Sequence, residues 1–273
     1  MTCYDSVFEQ FNYKLTTFLK HLMEIQAMKL ATCTVSYEGY HCVKGTEKRL
    51  EFLQKAIMEL KKQSIGLACF PGGYLSVKSR NHLCRLANIV DEISKDSGIS
   101  IGVGIDRLGK DIDNYWDEAI RKEGFPFFAV CSDTQSDSPH IWNQRSTTSK
   151  NQHFVSDDSC SKPRSLNTLG GRIEILICGE IFNERIRKSI VNRKIRAVVD
   201  LGHESRGFRV HAAMKVLANR GIASFCSVHT KRQNAQKFCY IPNHNDWLCK
   251  STRCYDTIIG KEPRLEIKFW NLN

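Results

Sequence analysis

The sequence predicts a layered α/β fold, and three observations carry that prediction. Short apolar runs with strand character alternate with amphipathic helical segments along most of the chain. The chain has 273 residues, 41% of them hydrophobic and 25% charged, enough to bury one substantial core. No internal repeat and no low-complexity linker divides it, so one main domain is expected over residues 28–273, preceded by a helical extension over 1–27.

Each element follows from its own pattern. In the extension Phe8, Phe11, Leu15, Phe18, Leu19 and Leu22 recur at helical spacing, which gives an amphipathic helix that packs on the domain or is offered to a partner. Lys29 to Ser36 alternates as a strand. Thr46 can cap a helix whose apolar face is Leu50, Leu53, Ile57 and Leu60. Ile65 to Phe70 is a short buried strand, stopped by Pro71-Gly72-Gly73. A helix with Leu83, Leu86, Val90 and Ile93 on one face follows, then strands over Ile99–Ile105 and Phe125–Cys131. Residues 132–170 are polar and loop-like, anchored by Trp142 and Phe154, and long loops in α/β enzymes tend to cover a site. Beyond them come the apolar run from Ile173, a helix from about residue 183, the strand Ile195–Asp200 and a loop from Leu201 to Gly207. A helix facing inward through Val210, Met214 and Leu217 and the strand Ile222–Val228 follow. The tail is strand-like over Lys237–Ile241 and Leu265–Trp270.

Composition narrows the function classes. No apolar run approaches the length of a membrane span. Asp5, Glu9, Lys14 and Lys20 interrupt the layout that a signal peptide requires, so a reducing cytoplasm is expected. Twelve cysteines include no Cys-x-x-Cys pair, and the nearest pair, Cys249 and Cys254, has only His244 close by; a structural zinc is not expected. Cysteines 33, 69, 131, 178 and 226 fall within or at the end of strand-like runs as small hydrophobes. A net charge of +11 is compatible with an acidic or nucleic-acid partner, yet the basic residues are dispersed. The densest stretch, from Arg185 to Arg196, reads first as a solvated helix face.

The most informative feature is Cys178. It ends the run Ile173-Glu174-Ile175-Leu176-Ile177 and is followed at once by Gly179-Glu180-Ile181-Phe182-Asn183. A buried strand that delivers a cysteine into a tight turn with a helix behind it is a nucleophile elbow: the turn exposes the thiol, and the N–H groups after it can receive an oxyanion. The alternative is a core cysteine in a sheet.

Over residues 28–273 this order of elements resembles the carbon–nitrogen hydrolase (nitrilase) superfamily. The stretches that carry the resemblance are MKLATCTV, GLACFPGGYL, RIEILICGEIFN, RAVVDLGHES, FRVHAAMKVLANRGIASFCSVH and the closing LEIKFW. It implies a four-layer α-β-β-α sandwich and a cysteine that attacks a small amide or nitrile, helped by a glutamate and a lysine. Carried over residue by residue, the nucleophile is Cys178 and one oxyanion donor is the N–H of Gly179. The glutamate position reads Phe70-Pro71-Gly72-Gly73 where the family has Phe-Pro-Glu, so the usual base is missing. For the lysine, Arg145 in Ile141-Trp142-Asn143-Gln144-Arg145-Ser146 is the candidate positive charge, and Lys150 a second. Arginine stays protonated and cannot act as a base. Glu180 matches an acid often found after the cysteine. His203 in the loop after the next strand can lower the thiol pKa if it reaches Cys178; otherwise it and Glu204 cap the following helix or face solvent.

The expected function is therefore an amidase- or nitrilase-like hydrolase with an altered triad. The alternative is a degenerate scaffold of the same fold with an acidic or nucleic-acid partner. No cofactor or metal is implied. The resemblance further implies a homodimer, paired through the helices at about 183–191 and 208–220, and substrate specificity set by loops 106–124 and 132–170.

Overall fold

The computed structural model describes residues 28–36, 45–107, 125–146, 163–168, 171–203, 208–230, 239–240, 249–255 and 265–272. The expected N-terminal helix, Lys150, Phe154, Glu204 and much of the expected specificity loops lie outside these residues.

In chain order the elements are β1 (Met28–Ser36), α1 (Thr46–Lys61), β2 (Ile65–Val77), α2 (Arg80–Ser97), β3 (Ser100–Arg107), β4 (Phe127–Ser132), β5 (His140–Asn143), β6 (Ser165–Thr168), β7 (Gly171–Ile177), α3 (Glu184–Val191), β8 (Ala197–Gly202), α4 (Phe208–Ala218), β9 (Ala223–Thr230), β10 (Cys239–Tyr240), β11 (Cys249–Tyr255) and β12 (Leu265–Leu272). A one-turn 3-10 segment, Cys178–Phe182, joins β7 to α3.

The strands form one hydrogen-bonded sheet in the order β5-β4-β3-β2-β1-β9-β8-β7-β6. It becomes two stacked layers at β1. That strand pairs along most of its length with β12, antiparallel, from Met28 to Val35. Its other edge is divided: Lys29–Thr32 pairs with β2 and Thr34–Ser36 with β9, both parallel. The strand thus passes from one half-sheet into the other.

Three apolar cores separate the layers. Leu53, Ile57 and Leu60 of α1 and Leu83, Leu86 and Val90 of α2 pack on β1–β3 in the first. Leu67, Cys69, Cys131, Ile173, Ile175, Ile177 and Phe225 fill the space between the half-sheets. Ile186 and Ile190 of α3 and Val210, Met214 and Leu217 of α4 close the third against Leu176 and Val198. Three cores between helices, sheet, sheet and helices are a four-layer α-β-β-α sandwich, as expected. Strand alternation accounts for the faces: Ile173, Ile175 and Ile177 look into the middle, Leu176 outward. Each fully buried aliphatic side chain contributes roughly 1.5–3 kcal/mol.

Three local expectations need correction. The stretch 132–170 contains two strands: β5 pairs with β4 and β6 forms a hairpin with β7. Their polar composition hid them, because each is an outer strand of the sheet with mostly half-exposed side chains. Pro71-Gly72-Gly73 does not stop β2. The strand continues to Val77 through an irregularity in which Phe70 pairs with Val103 and Leu75 with Ile105, so residues 71–74 stand opposite Gly104 alone. Thr46 does not cap α1 but opens it, and its hydroxyl donates to the Ser76 carbonyl at 2.7 Å.

Candidate active site

Six strands in the order β3-β2-β1-β9-β8-β7 run parallel, so their C-terminal ends share one side. In open α/β sheets that side is where ligands bind. Five groups of chemical interest gather there: Asp106 at the end of β3, the Pro71-Gly72-Gly73 insertion in β2, His229 on β9, His203 just after β8 and Cys178 just after β7.

Cys178 is half-buried and has φ +47°. A left-handed conformation at a non-glycine residue is uncommon and costs of order 1–3 kcal/mol, so it persists only where the surroundings over-determine it. Here they do. Glu180 turns back so that Oε2 accepts the Ile177 N–H at 3.2 Å, and Gln144 Nε2 donates to the Ile177 carbonyl at 3.2 Å. Asn183 caps α3, accepting from the Arg185 and Ile186 N–H groups at 2.9 and 3.2 Å, while its amide nitrogen donates to Ser146. Arg187 reaches the Ile181 carbonyl at 2.6 Å. A strand, a one-turn segment and a helix are thereby locked around the cysteine.

Arg145 belongs to this support. It was the expected positive charge for an oxyanion, but its guanidinium is fully buried against carboxylates: Nη2 lies 3.1 Å from Glu180 Oε2 and 3.6 Å from Glu174 Oε1, and its backbone N–H donates to Glu180 Oε1 at 2.5 Å. Arg164 also reaches Glu180, at 3.0 Å, and Arg193 pairs with Glu174 through both terminal nitrogens, at 3.0 and 3.1 Å. Three guanidinium groups therefore meet two carboxylates, neither of which retains any exposure.

His203 was expected either to partner Cys178 or to cap the next helix or face solvent, and the structure brings it to the cysteine. Its Nε2 lies 2.7 Å from Asp106 Oδ1, and the ring packs edge-on against Phe127 at 4.8 Å. Cys178 hydrogen-bonds to it. Burial pulls the imidazole pKa down, but the Asp106 carboxylate and the Cys178 sulfur outweigh it and hold it well above the ordinary histidine value. Asp106 had escaped the sequence reading. The only available signal was an acid one residue beyond a predicted strand end.

The position where the resemblance implied a glutamate is tightly enclosed. A Cβ on Gly72 would lie 2.7 Å from the Leu201 carbonyl oxygen and 3.0 Å from His203 Nδ1. At Gly73, which has φ +63°, it would lie 2.5 Å from Asp106 Oδ2 and 3.1 Å from the His203 ring. A Cβ on Gly104 would lie 2.3 Å from the Gly72 Cα. The glycines admit the His203–Asp106 pair, and Gly104 lets the insertion lie close over β3. His229 fixes the insertion in place by donating from Nε2 to the Gly72 carbonyl at 3.1 Å; burial first, then His203, push its pKa down to about 3, so it is neutral. Arg49 of α1 donates to the Gly73 and Tyr74 carbonyls at 3.3 and 3.0 Å.

Asp200, one strand over from the elbow in register with Leu176, is 2% exposed and faces the Cys226 thiol at 3.8 Å. Burial, then Cys178 and Glu180, raise its pKa well above the usual carboxylate range. Among the described residues no group of three or more His, Cys, Asp or Glu side chains is placed to hold a metal, and no helix is long and apolar enough to cross a membrane.

Solved structures of the same architecture are known. A double mutant of the amidase from Nesterenkonia sp. AN1 in complex with acrylamide superposes with a TM-score of 0.59 at 12% identity, covering 89% of this chain and 90% of that one. A second mutant, with the acetamide moiety of fluoroacetamide added covalently at its active-site cysteine, gives 0.57 at 14%, covering 90% of each. A third, described as an amidase from the nitrilase superfamily, gives 0.55 at 13%, covering 88% and 90%. The fold is that of the nitrilase superfamily. No family model and no curated protein matches the sequence itself. At such identity it is the architecture that is shared.

Proposed function

We propose that this chain is a cysteine-dependent carbon–nitrogen hydrolase acting on a small amide, with Cys178 as nucleophile. The observation that carries the reading is Cys178 itself: a half-buried thiol at φ +47° on a fully supported elbow, hydrogen-bonded to a histidine. A merely packed cysteine needs neither the strain nor the partner. The acrylamide and fluoroacetamide bound to the nitrilase-fold neighbours support a small amide as substrate.

The steps follow from the groups present. The Sγ proton passes to His203, sulfur bonds to the amide carbon, and the carbonyl electron pair moves onto oxygen. The N–H of Gly179 is the donor assigned to that oxyanion. Collapse breaks the C–N bond, and the imidazolium returns its proton to the leaving amine. Water then attacks the thioester, giving its proton to His203, and release of the carboxylic acid restores the thiol. Arg145 is assigned a positioning role in place of the oxyanion role, since Glu180 and Glu174 engage its charge.

Trapping tests this. Incubation with fluoroacetamide followed by intact-mass measurement and peptide mapping is expected to show one acetamide adduct at Cys178, ahead of the exposed Cys84. Adducts at Cys84 first would contradict it.

The second reading, a scaffold of the same fold, draws on the absent carboxylate at Gly72 and on the exposed basic residues of α3. Arg185→Glu and Lys188→Glu probe it. Arg187→Glu does not, because Arg187 holds the elbow turn through the Ile181 carbonyl. We also propose pairing of two copies through α3 and α4, where Val216 is 49% exposed. Sedimentation is expected to give a dimer at micromolar concentration, and a monomer would rule it out.

A further inference from the structure

We propose that Cys178, His203 and Asp106 form a catalytic triad that replaces the glutamate of the nitrilase superfamily, seated in the space that Gly72 and Gly73 leave open. This rests on the reading of Cys178 as a nucleophile and specifies what activates it.

Four observations converge. His203 binds Asp106 through Nε2 at 2.7 Å, which leaves Nδ1 for the sulfur. Phe127 holds the ring edge-on. The family's glutamate would start from a Cβ already 2.7 Å from the Leu201 carbonyl oxygen and 3.0 Å from His203 Nδ1, so a glutamate at Gly72 would clash with the backbone and crowd the present histidine. Beside it, Gly73 admits Asp106, whose Oδ2 would lie 2.5 Å from a Cβ there. The substitution of one base for another is therefore written into both halves of the site: the residues that fill the space and the glycines that vacate it.

The division of labour follows. His203 takes the thiol proton, so it contacts the reacting sulfur and is catalytic. Asp106 accepts from Nε2–H, holding the tautomer with its free nitrogen toward sulfur, and offsets the imidazolium that forms. Asp106 is a positioning residue. Asp106 and the cysteine raise the imidazole pKa, which favours the imidazolium–thiolate pair; rising pH through the raised imidazole pKa removes the pair's cation.

The test is the rate of iodoacetamide alkylation at Cys178 between pH 5 and 10, in wild type, His203→Asn and Asp106→Asn, read by peptide mapping with Cys84 as internal reference. In wild type the inflection is expected well below about 8.5, the ordinary thiol value. His203→Asn is expected to move it to about 8.5 or above and to slow labelling at pH 6 on the order of 10- to 100-fold. Asp106→Asn is expected to fall between. An unchanged profile in His203→Asn overturns the triad. Should that variant not fold, the His203 ring pKa by NMR in wild type and Cys178→Ser keeps the question open to refutation: it is expected to fall on removal of the thiol, and an unchanged value overturns the pairing. Ammonia release from small amides is measured alongside. A histidine-dependent labelling profile without release sinks the amidase reading and supports the triad. Cysteine-dependent release with a histidine-independent profile does the reverse.

Discussion

Glu180→Ala is expected to be among the most destabilising single changes in this chain. Glu180 is fully buried and accepts from the backbone of Ile177 and Arg145 and from the side chains of Arg145 and Arg164. Its loss removes the carboxylate nearest the buried Arg145 guanidinium and frees the turn that keeps Cys178 at positive φ. Breaking a buried pair by removing one partner costs about 3–5 kcal/mol, against a total of about 5–15 kcal/mol for a typical domain. Denaturant unfolding is expected to show a midpoint shift of that size, or no folded fraction at all. Lys188→Ala, which removes the exposed Lys188–Glu184 pair, is the control and is expected to change nothing measurable. Equal effects would mean that the buried network is not what secures the elbow.

Gly72→Glu is expected to fail as a way of placing a glutamate base beside Cys178. Its Cβ would meet the Leu201 carbonyl oxygen at 2.7 Å, and backbone on a central strand cannot give way cheaply. Overpacking of this kind costs about 1–3 kcal/mol, and the carboxylate would displace His203 from the sulfur. Both the thermal midpoint and the labelling of Cys178 are therefore expected to fall. A variant with undiminished stability and faster amide turnover would show that the site accepts a glutamate there, and that the present groups are incidental.

Much of the architecture was legible because buried strands and amphipathic helices write their periods into sequence. The faces of α1, α2 and α4 were readable from Leu53, Val90 and Met214, and the elbow from the apolar run that breaks at Gly179. The outer strands β5 and β6 were not, since half-exposed strands lack a continuous apolar signature. Nor was the continuation of β2. Pro71-Gly72-Gly73 ends a strand by local chemistry, and only the facing Gly104 allows it to run on.

At the site, Cys178 was visible locally whereas its partners were not. Asp106 and His203 stand 97 residues apart, and their meeting depends on the order β3-β2-β1-β9-β8 and on where each strand ends. The two glycines looked like a loss. In three dimensions they make room for His203 and Asp106. Arg145 was singled out for its charge, but which carboxylates would claim that charge is a property of packing, since Glu180 is 35 residues away.

The central claim, that Cys178 turns over a carbon–nitrogen bond, is tested most directly by ammonia release from acrylamide, acetamide and propionamide by wild type and by Cys178→Ala at neutral pH. Wild type is expected to release ammonia in proportion to enzyme. Cys178→Ala is expected to lose on the order of 10⁴-fold or more while unfolding at the wild-type denaturant midpoint. Equal release by both proteins would contradict the account.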